Sequence, residues 1–353
     1  MTELHKPRRL AALALGLSGC LSWTGAAAQS APTIDFHGSL RTQIETVSPD
    51  RRDRFDSYTS LRDAYSRVGV KGEYPFGTGL VLTGELEIPI DTANLRVRDP
   101  YDQGDASRPK GQRIRIAQVG LRGRFGTLAY GQQWMPYYNA IAAPVDRFSS
   151  YYTGFATYTV VRVADTIAYT SPEYKGFSVT AAHAGSSGNK RSTSRIDDRR
   201  WQVAATYALG DTRLAAAIDD RGNTGHGHDR LLGLTASHKA GDLYLALKYE
   251  RFDTGNRRPG TFSSDGNQAL NLFGSYTMGK NTFKLMLAKV DNYGDRVVHL
   301  GIDHRLSEKS KVFAEYYREA STAALTRERG GLGDFDASIS GGHAFAVGIR
   351  HDF

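Results

Sequence analysis

The chain has 353 residues, a net charge of +8, 40% hydrophobic residues and a mean hydropathy of −0.43. After residue 28 no apolar run approaches the roughly 20 residues that a membrane helix needs, which excludes a helical membrane protein. The positive charge does not indicate nucleic-acid binding, because acidic residues are interleaved with the basic ones and no long Lys/Arg run occurs.

The first 28 residues are organised like a secretory signal peptide. Lys6, Arg8 and Arg9 form a positive start, and an apolar stretch follows from Leu10 to Trp23. The alanines at 26–28 are typical of a signal cleavage site. We therefore expect an exported protein in which residues 29–353 form a single domain.

Cys20 is the one cysteine of the chain and lies inside this predicted signal. The mature protein would then have neither a disulfide bond nor a thiol active site. An alternative stays open, because Leu17-Ser18-Gly19-Cys20 also fits a lipobox, in which Cys20 would become an acylated first residue.

The mature region consists of segments of about ten residues that alternate apolar and polar side chains, each followed by a turn. In residues 34–45, Ile34 and Leu40 share one face and Asp35 and Arg41 the other. This period of two predicts β-strands with one apolar and one polar face. The same pattern recurs in residues 243–251, 298–305 and 343–353.

Short and long connections alternate along the chain. The short turns are predicted at 75–78, 123–126, 172–175, 209–212, 239–242, 278–281 and 307–310. The longer loops are predicted at 47–63, 91–111, 135–163, 185–198, 221–229, 254–265, 292–294 and 320–341.

These fifteen connections predict sixteen antiparallel strands, an even number with both termini on the short-turn side, as in bacterial membrane barrels. Sixteen strands with a polar face cannot close around a dry core, whereas lipid outside and water inside satisfy both faces. We therefore predict an all-β, sixteen-stranded antiparallel transmembrane β-barrel.

The sequence contains no signature of catalysis, of a cofactor or of a metal site. P-loop and nucleophile-elbow motifs are absent. His226 and His228 suggest a metal at first sight, but they lie in the predicted loop 221–229 without further ligands. We predict neither an enzyme nor a bound cofactor.

Five segments, in this order, resemble the Gram-negative general porin family of sixteen-stranded trimeric barrels. Their order and spacing over nearly the whole mature chain carry the resemblance, and no one motif decides it. They are Ile34-Asp35-Phe36-His37-Gly38; Ser66-Arg67-Val68-Gly69-Val70-Lys71-Gly72; Val119-Gly120-Leu121 with Gly126 and Gly131-Gln132; the stretch from Arg162 to Phe177; and the final Phe353.

The resemblance implies an outer-membrane protein that lets small hydrophilic solutes and ions diffuse passively. It further implies a homotrimer surrounded by outer-membrane lipid, and a terminal aromatic strand that is recognised for membrane insertion. The alternatives are a substrate-selective channel of similar build, for small anions or sugars, and an outer-membrane enzyme or adhesin.

In this family the third long loop folds into the barrel and narrows the pore, and residues 134–163 match it. Length alone also marks this segment, because a loop of about 30 residues is uncommon in a compact protein and usually functional. The candidate residues on it and just after it are Asp146, Arg147, Tyr151, Tyr152, Arg162 and Asp165.

The candidate pore wall is basic. Its members share the lumen-facing parity of their strands, although some of them could instead be solvated near a rim. Arg67 and Arg115 also match basic eyelet positions of the family, and Glu85 and Glu87 share the wall, where we expect them to compensate nearby arginines. The candidate wall cations are Arg41, Arg67, Lys71, Arg113 and Arg115.

The loop departs from the pattern of cation-preferring porins, which carry several acids there. Between residues 135 and 163 its one acid is Asp146, next to Arg147, although Asp165 could add a second carboxylate. Because wall arginines outnumber loop carboxylates, we predict a neutral or mildly anion-selective pore.

Overall fold

A computed structural model describes residues 31–51, 56–98, 114–154, 156–185, 199–223, 227–321 and 340–353. The predicted signal peptide, the candidate Arg113 and the loop histidine His226 lie outside these residues. Within the described ranges, no helix is both long enough and apolar enough to cross a membrane.

Antiparallel strands account for most of the described chain, and each pairs with its neighbour in sequence. Their bounds are β1 Thr33–Pro49, β2 Tyr58–Asp63, β3 Arg67–Pro75, β4 Val81–Pro89, β5 Ile116–Gly123, β6 Gly126–Trp134, β7 Arg162–Thr170, β8 Phe177–Ala184, β9 Arg200–Leu209, β10 Thr212–Asn223, β11 His228–Ala240, β12 Leu243–Thr254, β13 Gln268–Met278, β14 Asn281–Val290, β15 Gly294–Arg305, β16 Ser310–Ser321 and β17 Ser340–Asp352.

The sheet closes on itself through β1. On one side β1 pairs with β17, with Thr42 opposite Ile349. On the other side it pairs with β2 and then β3, which follow one another along the same edge of β1 and are separated by 64–66, where Tyr65 has φ +70°. The two segments therefore act as one interrupted strand, and the predicted closed barrel of sixteen strands is confirmed.

The two faces of the wall have the polarity expected for a membrane barrel. Outward-facing apolar side chains are exposed, including Ile34 at 71% and Phe36 at 78%. Inward-facing polar side chains such as Gln43, Lys248 and Glu250 are fully buried. This reverses the usual order of a soluble protein and fits lipid outside, with closure satisfying the backbone groups of every strand.

The predicted short turns coincide with the hairpins observed between β3 and β4 and then between each second pair of strands to β15 and β16. The loop predicted over 47–63 is too wide. Strand β1 continues to Pro49 and β2 begins at Tyr58, because Tyr58 to Asp63 form ladder pairs with β1. Polar residues such as Thr59 and Arg62 belong to this strand rather than to a loop.

Residues 135–161, called the inward loop below, connect β6 to β7 and include a short π-helical turn, Tyr138–Ala142. Their apolar side chains pack against the inner surface of the wall, for example Phe148 against Phe273. The hydrophobic core of the molecule therefore lies inside the barrel, between this loop and one side of the wall.

Candidate functional site

The inward loop begins by docking its first turn on β9 and β11. The backbone N–H of Tyr137 donates to Gln202 Oε1 at 2.9 Å, and Thr235 Oγ1 donates to the carbonyl of Ile141 at 2.7 Å. A Cβ at Gly233 would lie 2.4 Å from the Tyr137 hydroxyl, so β11 makes room for the turn by carrying glycine there.

A buried carboxylate on β16 holds the middle of the loop. Glu315 accepts the backbone N–H groups of Ser149 and Ser150 at 2.7 and 3.0 Å. Lys284 Nζ lies 3.0 Å and His299 Nε2 3.1 Å from the same carboxylate. Glu315 is 2% exposed, so its charge is fully enclosed by these partners.

A second carboxylate, on β1, holds the next part of the loop. The backbone N–H of Tyr151 donates to Gln43 Oε1 at 2.8 Å, and the hydroxyl of Tyr152 donates to Glu45 Oε2 at 3.0 Å. Arg62 pairs with the other oxygen of Glu45, and its guanidinium stacks over the Tyr151 ring at 4.4 Å. The candidates Tyr151 and Tyr152 therefore pack the loop against the wall.

A third carboxylate, on β12, holds the end of the loop. Glu250 accepts the Thr157 hydroxyl at 3.0 Å and the Tyr158 backbone N–H at 3.2 Å. Lys248 Nζ forms an ion pair with Glu250 and also donates to the carbonyl of Ala156 at 3.0 Å. Both ions are completely buried beneath the loop.

Sequence reasoning did not single out these three loop anchors, Glu45, Glu250 and Glu315. Each anchor is a carboxylate at a lumen-facing position in the middle of a strand. Such a residue is expected both on a water-filled channel wall and beneath a loop, so the sequence does not distinguish the two cases. The anchors matter for electrostatics, because a buried carboxylate compensated by its own partners contributes little field to the remaining open lumen.

The opposite side of the lumen carries the predicted cations. Arg41 of β1 and Arg67 of β3 interact electrostatically with each other and with Arg115, which directly precedes β5. Arg350 of β17 lies directly opposite Arg41 in the ladder and joins the group. These four residues are called the arginine cluster below. Arg350 had not been singled out, although its parity in 343–353 was available.

Two carboxylates lie against the arginine cluster. Glu87 forms ion pairs with the Nε atoms of Arg67 at 3.1 Å and Arg115 at 2.7 Å, which is the compensation expected of it. Asp352 pairs with Arg350 at 2.8 Å. Glu85 adds a third carboxylate, within 4.8 Å of that of Glu87. Among the described residues, four guanidinium groups thus face three carboxylates, so this side of the lumen has a small excess of positive charge.

Lys71 lies outside the arginine cluster. It shares the inward parity of Arg67 on β3 but is four residues nearer the short turn, which at about 3.3 Å per residue is a separation of about 13 Å. Its side chain is exposed, and its ladder partners are Asp35 and Glu85. It is placed as a cation near the mouth of the barrel.

Asp146 ties the inward loop to itself. Its carboxylate accepts the Tyr138 hydroxyl at 2.6 Å, the Thr153 hydroxyl at 2.5 Å and the Gly154 backbone N–H at 2.6 Å. Burial, together with the charge of Asp146, raises the pKa of Tyr138, so this hydroxyl remains a donor at neutral pH. The next residue, Arg147, is exposed.

The last three loop candidates occupy different surroundings. Arg147 stacks over the ring of Tyr244 at 3.9 Å, and Arg162 lies 5.1 Å from the ring centre of Trp134. Asp165 accepts the hydroxyl of Tyr130 at 2.8 Å. Because Tyr130 is 52% exposed on the lipid-facing side, Asp165 lies outward and does not face the arginine cluster.

One group of side chains has the geometry for a metal ion. The ligand atoms of His37, Glu85 and Glu87 lie within 4.8 Å of one another. The fit is poor, because both oxygens of Glu87 already pair with Arg67 and Arg115 and these guanidinium groups repel a cation. The group is better explained as part of the charge balance of the wall.

A sequence profile of the family Gram-negative porin matches residues 10–324. A monosaccharide porin of a Halomonas species is 25% identical over 269 residues, which cover 69% of this chain and 70% of that protein. A major outer membrane protein of Halomonas elongata matches with the same identity and coverage.

Solved structures share the fold at lower identity. An anion-selective porin from Comamonas acidovorans superposes with a TM-score of 0.69 at 21% identity, covering 91% of this chain and 100% of that one. OmpF of Salmonella typhi gives 0.67 at 17% identity, with 91% and 97% covered. The trimer form of OmpT of Vibrio cholerae gives 0.62 at 17% identity, with 92% and 100% covered.

Proposed function

The chain belongs to the Gram-negative porin family and is an outer-membrane channel, and from this premise we propose that its pore is neutral to mildly anion-selective and passes small hydrophilic solutes and ions passively. The observation that carries the proposal is that the acidic and the basic side chains of the lumen lie in different surroundings. Glu45, Glu250 and Glu315 are buried as partners of the inward loop. The arginine cluster instead gathers four guanidinium groups, of which those of Arg67 and Arg350 are partly exposed and those of Arg41 and Arg115 are buried.

The physical argument is electrostatic. Unpaired positive charge on a water-filled wall lowers the energy of a passing anion and raises that of a cation, because low-dielectric walls concentrate the field inside a narrow lumen. Glu85, Glu87 and Asp352 reduce this field without cancelling four arginines, which is why the proposed preference is mild. The Comamonas porin, which is described as anion-selective, supports the same direction.

The test is the reversal potential of the purified protein in planar bilayers across a KCl gradient. We expect chloride to be more permeant than potassium. R41Q should lower the chloride-to-potassium permeability ratio by about fourfold, because one unit charge about 10 Å from the ion path in water shifts the energies of chloride and potassium by about 0.4 kcal/mol in opposite directions. The matched control is K71Q, which removes one lumen-facing cation opposite Asp35, six residues or about 20 Å from Arg41 along the strand, and should change the ratio less. A clear preference for potassium in the unaltered protein would refute the proposal.

A second candidate is a channel selective for sugars or for one small anion. The Halomonas relative named as a monosaccharide porin favours it. The exposed Arg147 of the loop also stacks on the partly buried ring of Tyr244 on β12, which brings a polar and an aromatic group together in the lumen. Saturable block of the ion current by one solute, such as glucose, would support this candidate. Flux that rises linearly with concentration and falls with solute size would support general diffusion.

We also propose a homotrimer, cleavage after Ala28 and the absence of catalytic activity. OmpT, a structural relative, is described in a trimer form, and the relatives named above are channels rather than enzymes. Native mass spectrometry of protein extracted from outer membranes tests two of these points together. It should give three times the mass of residues 29–353, and the same spectrum would reveal an acylated Cys20 as a heavier subunit.

A further inference from the structure

The outer surface of the barrel carries a strip of cations that the channel does not use. Arg251 on β12, Lys289 on β14 and Arg296 on β15 point outward and are exposed near the rim that carries the long loops. Each lies two residues beyond an outward-facing apolar or aromatic side chain, for example Leu287 before Lys289. The strip therefore borders the band of side chains that contacts lipid tails.

Two of these cations face each other directly. Lys289 and Arg296 are ladder partners in the β14–β15 hairpin, and the outward pairs below them are Leu287 with Val298 and Leu285 with Leu300. Like charges in directly opposite positions of a sheet destabilise it, because their Cβ atoms are only about 5 Å apart. This arrangement requires a compensating negative charge.

The described residues supply little of that charge. Lys289 Nζ is 3.8 Å from Asp291 and the lysine side chain is 75% exposed. Asp291 also accepts the backbone N–H of Gln268, which divides its attraction. Among the described residues, Arg296 has no carboxylate within ion-pair distance.

Other outward-facing arginines have a carboxylate partner within the protein. Arg230 pairs with Asp220 at 2.8 Å and Arg318 with Asp50 at 2.9 Å. The hairpin between β14 and β15 has just three connecting residues, 291–293, so this connection does not cover the Lys289–Arg296 pair. The pair is an exposed positive site at the level where lipid headgroups begin.

We propose that Lys289 and Arg296 bind the phosphate group of an anionic lipid of the outer leaflet. A guanidinium binds two phosphate oxygens in a fixed geometry, and a lysine ammonium beside it adds a mobile point charge. Leu287 and Val298 provide the adjoining apolar surface for the acyl chains. The long loops of bacterial barrels are extracellular, which places the pair at the outer leaflet.

The experiment measures which lipid lies next to the site. L287W in a W23F/W134F/W201F background of the full chain gives one tryptophan, beside the pair. The protein is reconstituted in phosphatidylcholine vesicles that contain either brominated phosphatidylglycerol or brominated phosphatidylcholine, whose bromines quench tryptophan on contact. We expect the phosphatidylglycerol to be enriched at the site by about fivefold for each cation that contributes.

K289Q/R296Q should remove this enrichment, and K289R/R296K should retain it. The charge-matched control K239Q/K280Q removes two cations near the short turns and should leave it unchanged. Added inorganic phosphate should not displace the lipid, since free phosphate lacks the acyl chains. Folding of each variant is checked by channel formation in planar bilayers.

Four outcomes would overturn the proposal. One is equal quenching by both lipids in the parent, and another is enrichment that survives K289Q/R296Q. The third is protection of the tryptophan from both lipids, which would mean that a protein surface covers this face. Loss of enrichment by inorganic phosphate would instead assign the site to a free anion and reject the lipid.

Discussion

Glu315 shows how one side chain organises the lumen. Its carboxylate accepts two backbone N–H groups and also pairs with Lys284 and His299. Each of these four partners therefore depends on the same buried charge. Neutralising it leaves a buried cation without its counter-charge, which is more costly than losing a surface ion pair. The position is therefore a sensitive test of how the inward loop is held.

We expect E315Q to lower the free energy of unfolding in detergent by about 3 kcal/mol, because Lys284 loses its buried anionic partner. The same variant should make single-channel currents noisier, since Ser149 and Ser150 lose acceptor strength. Urea titration and bilayer recordings measure the two effects. E308Q, in an exposed turn, is the control, and an E315Q protein as stable and quiet as this control would contradict the assignment.

Two loop tyrosines give a pH dependence with a definite sign. Burial is the main cause that raises the pKa of Tyr152 and of Tyr158, and the charges of Glu45 and Asp291, respectively, act in the same direction. A raised pKa in the folded state favours the neutral hydroxyl. Its contribution to stability is complete below the unfolded value of about 10 and is lost as the pH rises above it.

We therefore expect loop anchoring to be constant from neutral pH to about pH 10 and to weaken above it. Absorbance at the phenolate band should show fewer titrating tyrosines in the folded protein than in urea at the same alkaline pH. In Y152F/Y158F the difference between the folded and the unfolded count should be smaller by two tyrosines. Equal counts in the unaltered protein would refute the assignment.

At the level of elements, the inward loop and the strand beneath it are fitted to each other at a glycine. Gly233 lies under the first turn of the loop, and a larger residue there meets Tyr137 and Ile141. By contrast, a Cβ at Gly274 on β13 would lie 3.3 Å from the flexible side chain of Leu245. Gly233 and Gly274 therefore serve as a test position and its control.

G233V should displace the first turn of the loop and cost about 2 kcal/mol of folding free energy by overpacking. Because the loop narrows the lumen, single-channel conductance should change as well. G274V should retain the conductance of the unaltered protein. Identical conductance and unfolding for the two variants would show that the close contact at Gly233 does not position the loop.

Sequence alternation was sufficient for the strands and not for the loop contacts. In 34–45 parity alone identifies Arg41 as inward and Ile34 as outward, and both are found so. Asp165 was expected as a possible second pore carboxylate, but a register shift between β6 and β7 and a φ of +53° turn it outward. A bulge adds a residue without any change in composition, so its effect on side-chain direction cannot be read from alternation.

The loop anchors could not be predicted for another reason. Glu250 and Glu315 accept backbone N–H groups, and Glu45 a tyrosine hydroxyl, from partners more than 90 residues distant in sequence. A backbone N–H has no residue-specific signature. The inward course of the loop was expected from the resemblance and from its length. Which wall it would lie against depends on three-dimensional packing that a one-dimensional pattern does not contain.

At the scale of the whole molecule, the charges are sorted by location. Three acids lie under the loop, the arginine cluster lies on the wall around β1, β3 and β17, and the Lys289–Arg296 pair lies on the outer surface. The net charge of +8 is thus divided among environments that respond differently to salt. Buried ion pairs are screened little by dissolved ions, whereas charges on a water-filled wall are screened strongly.

The proposed anion preference should therefore depend on ionic strength. The Debye length falls from about 10 Å at 0.1 M salt to about 3 Å at 1 M, so the arginine cluster acts on a passing ion mainly in dilute solution. We expect the chloride-to-potassium permeability ratio to approach that of free solution in concentrated KCl. A ratio independent of salt would instead indicate a binding site in direct contact with the ion.

The seam between β1 and β17 has a consequence for biogenesis. Gly38 and Phe353 exchange backbone hydrogen bonds at 3.0 and 3.1 Å, so residues more than 300 positions apart complete the circle of strands. Until that junction forms, the sheet has two unpaired edges that can recruit other chains. We therefore expect the polypeptide to be most prone to aggregation before its two ends pair, because shielding of both edges is complete only when the last strand meets the first.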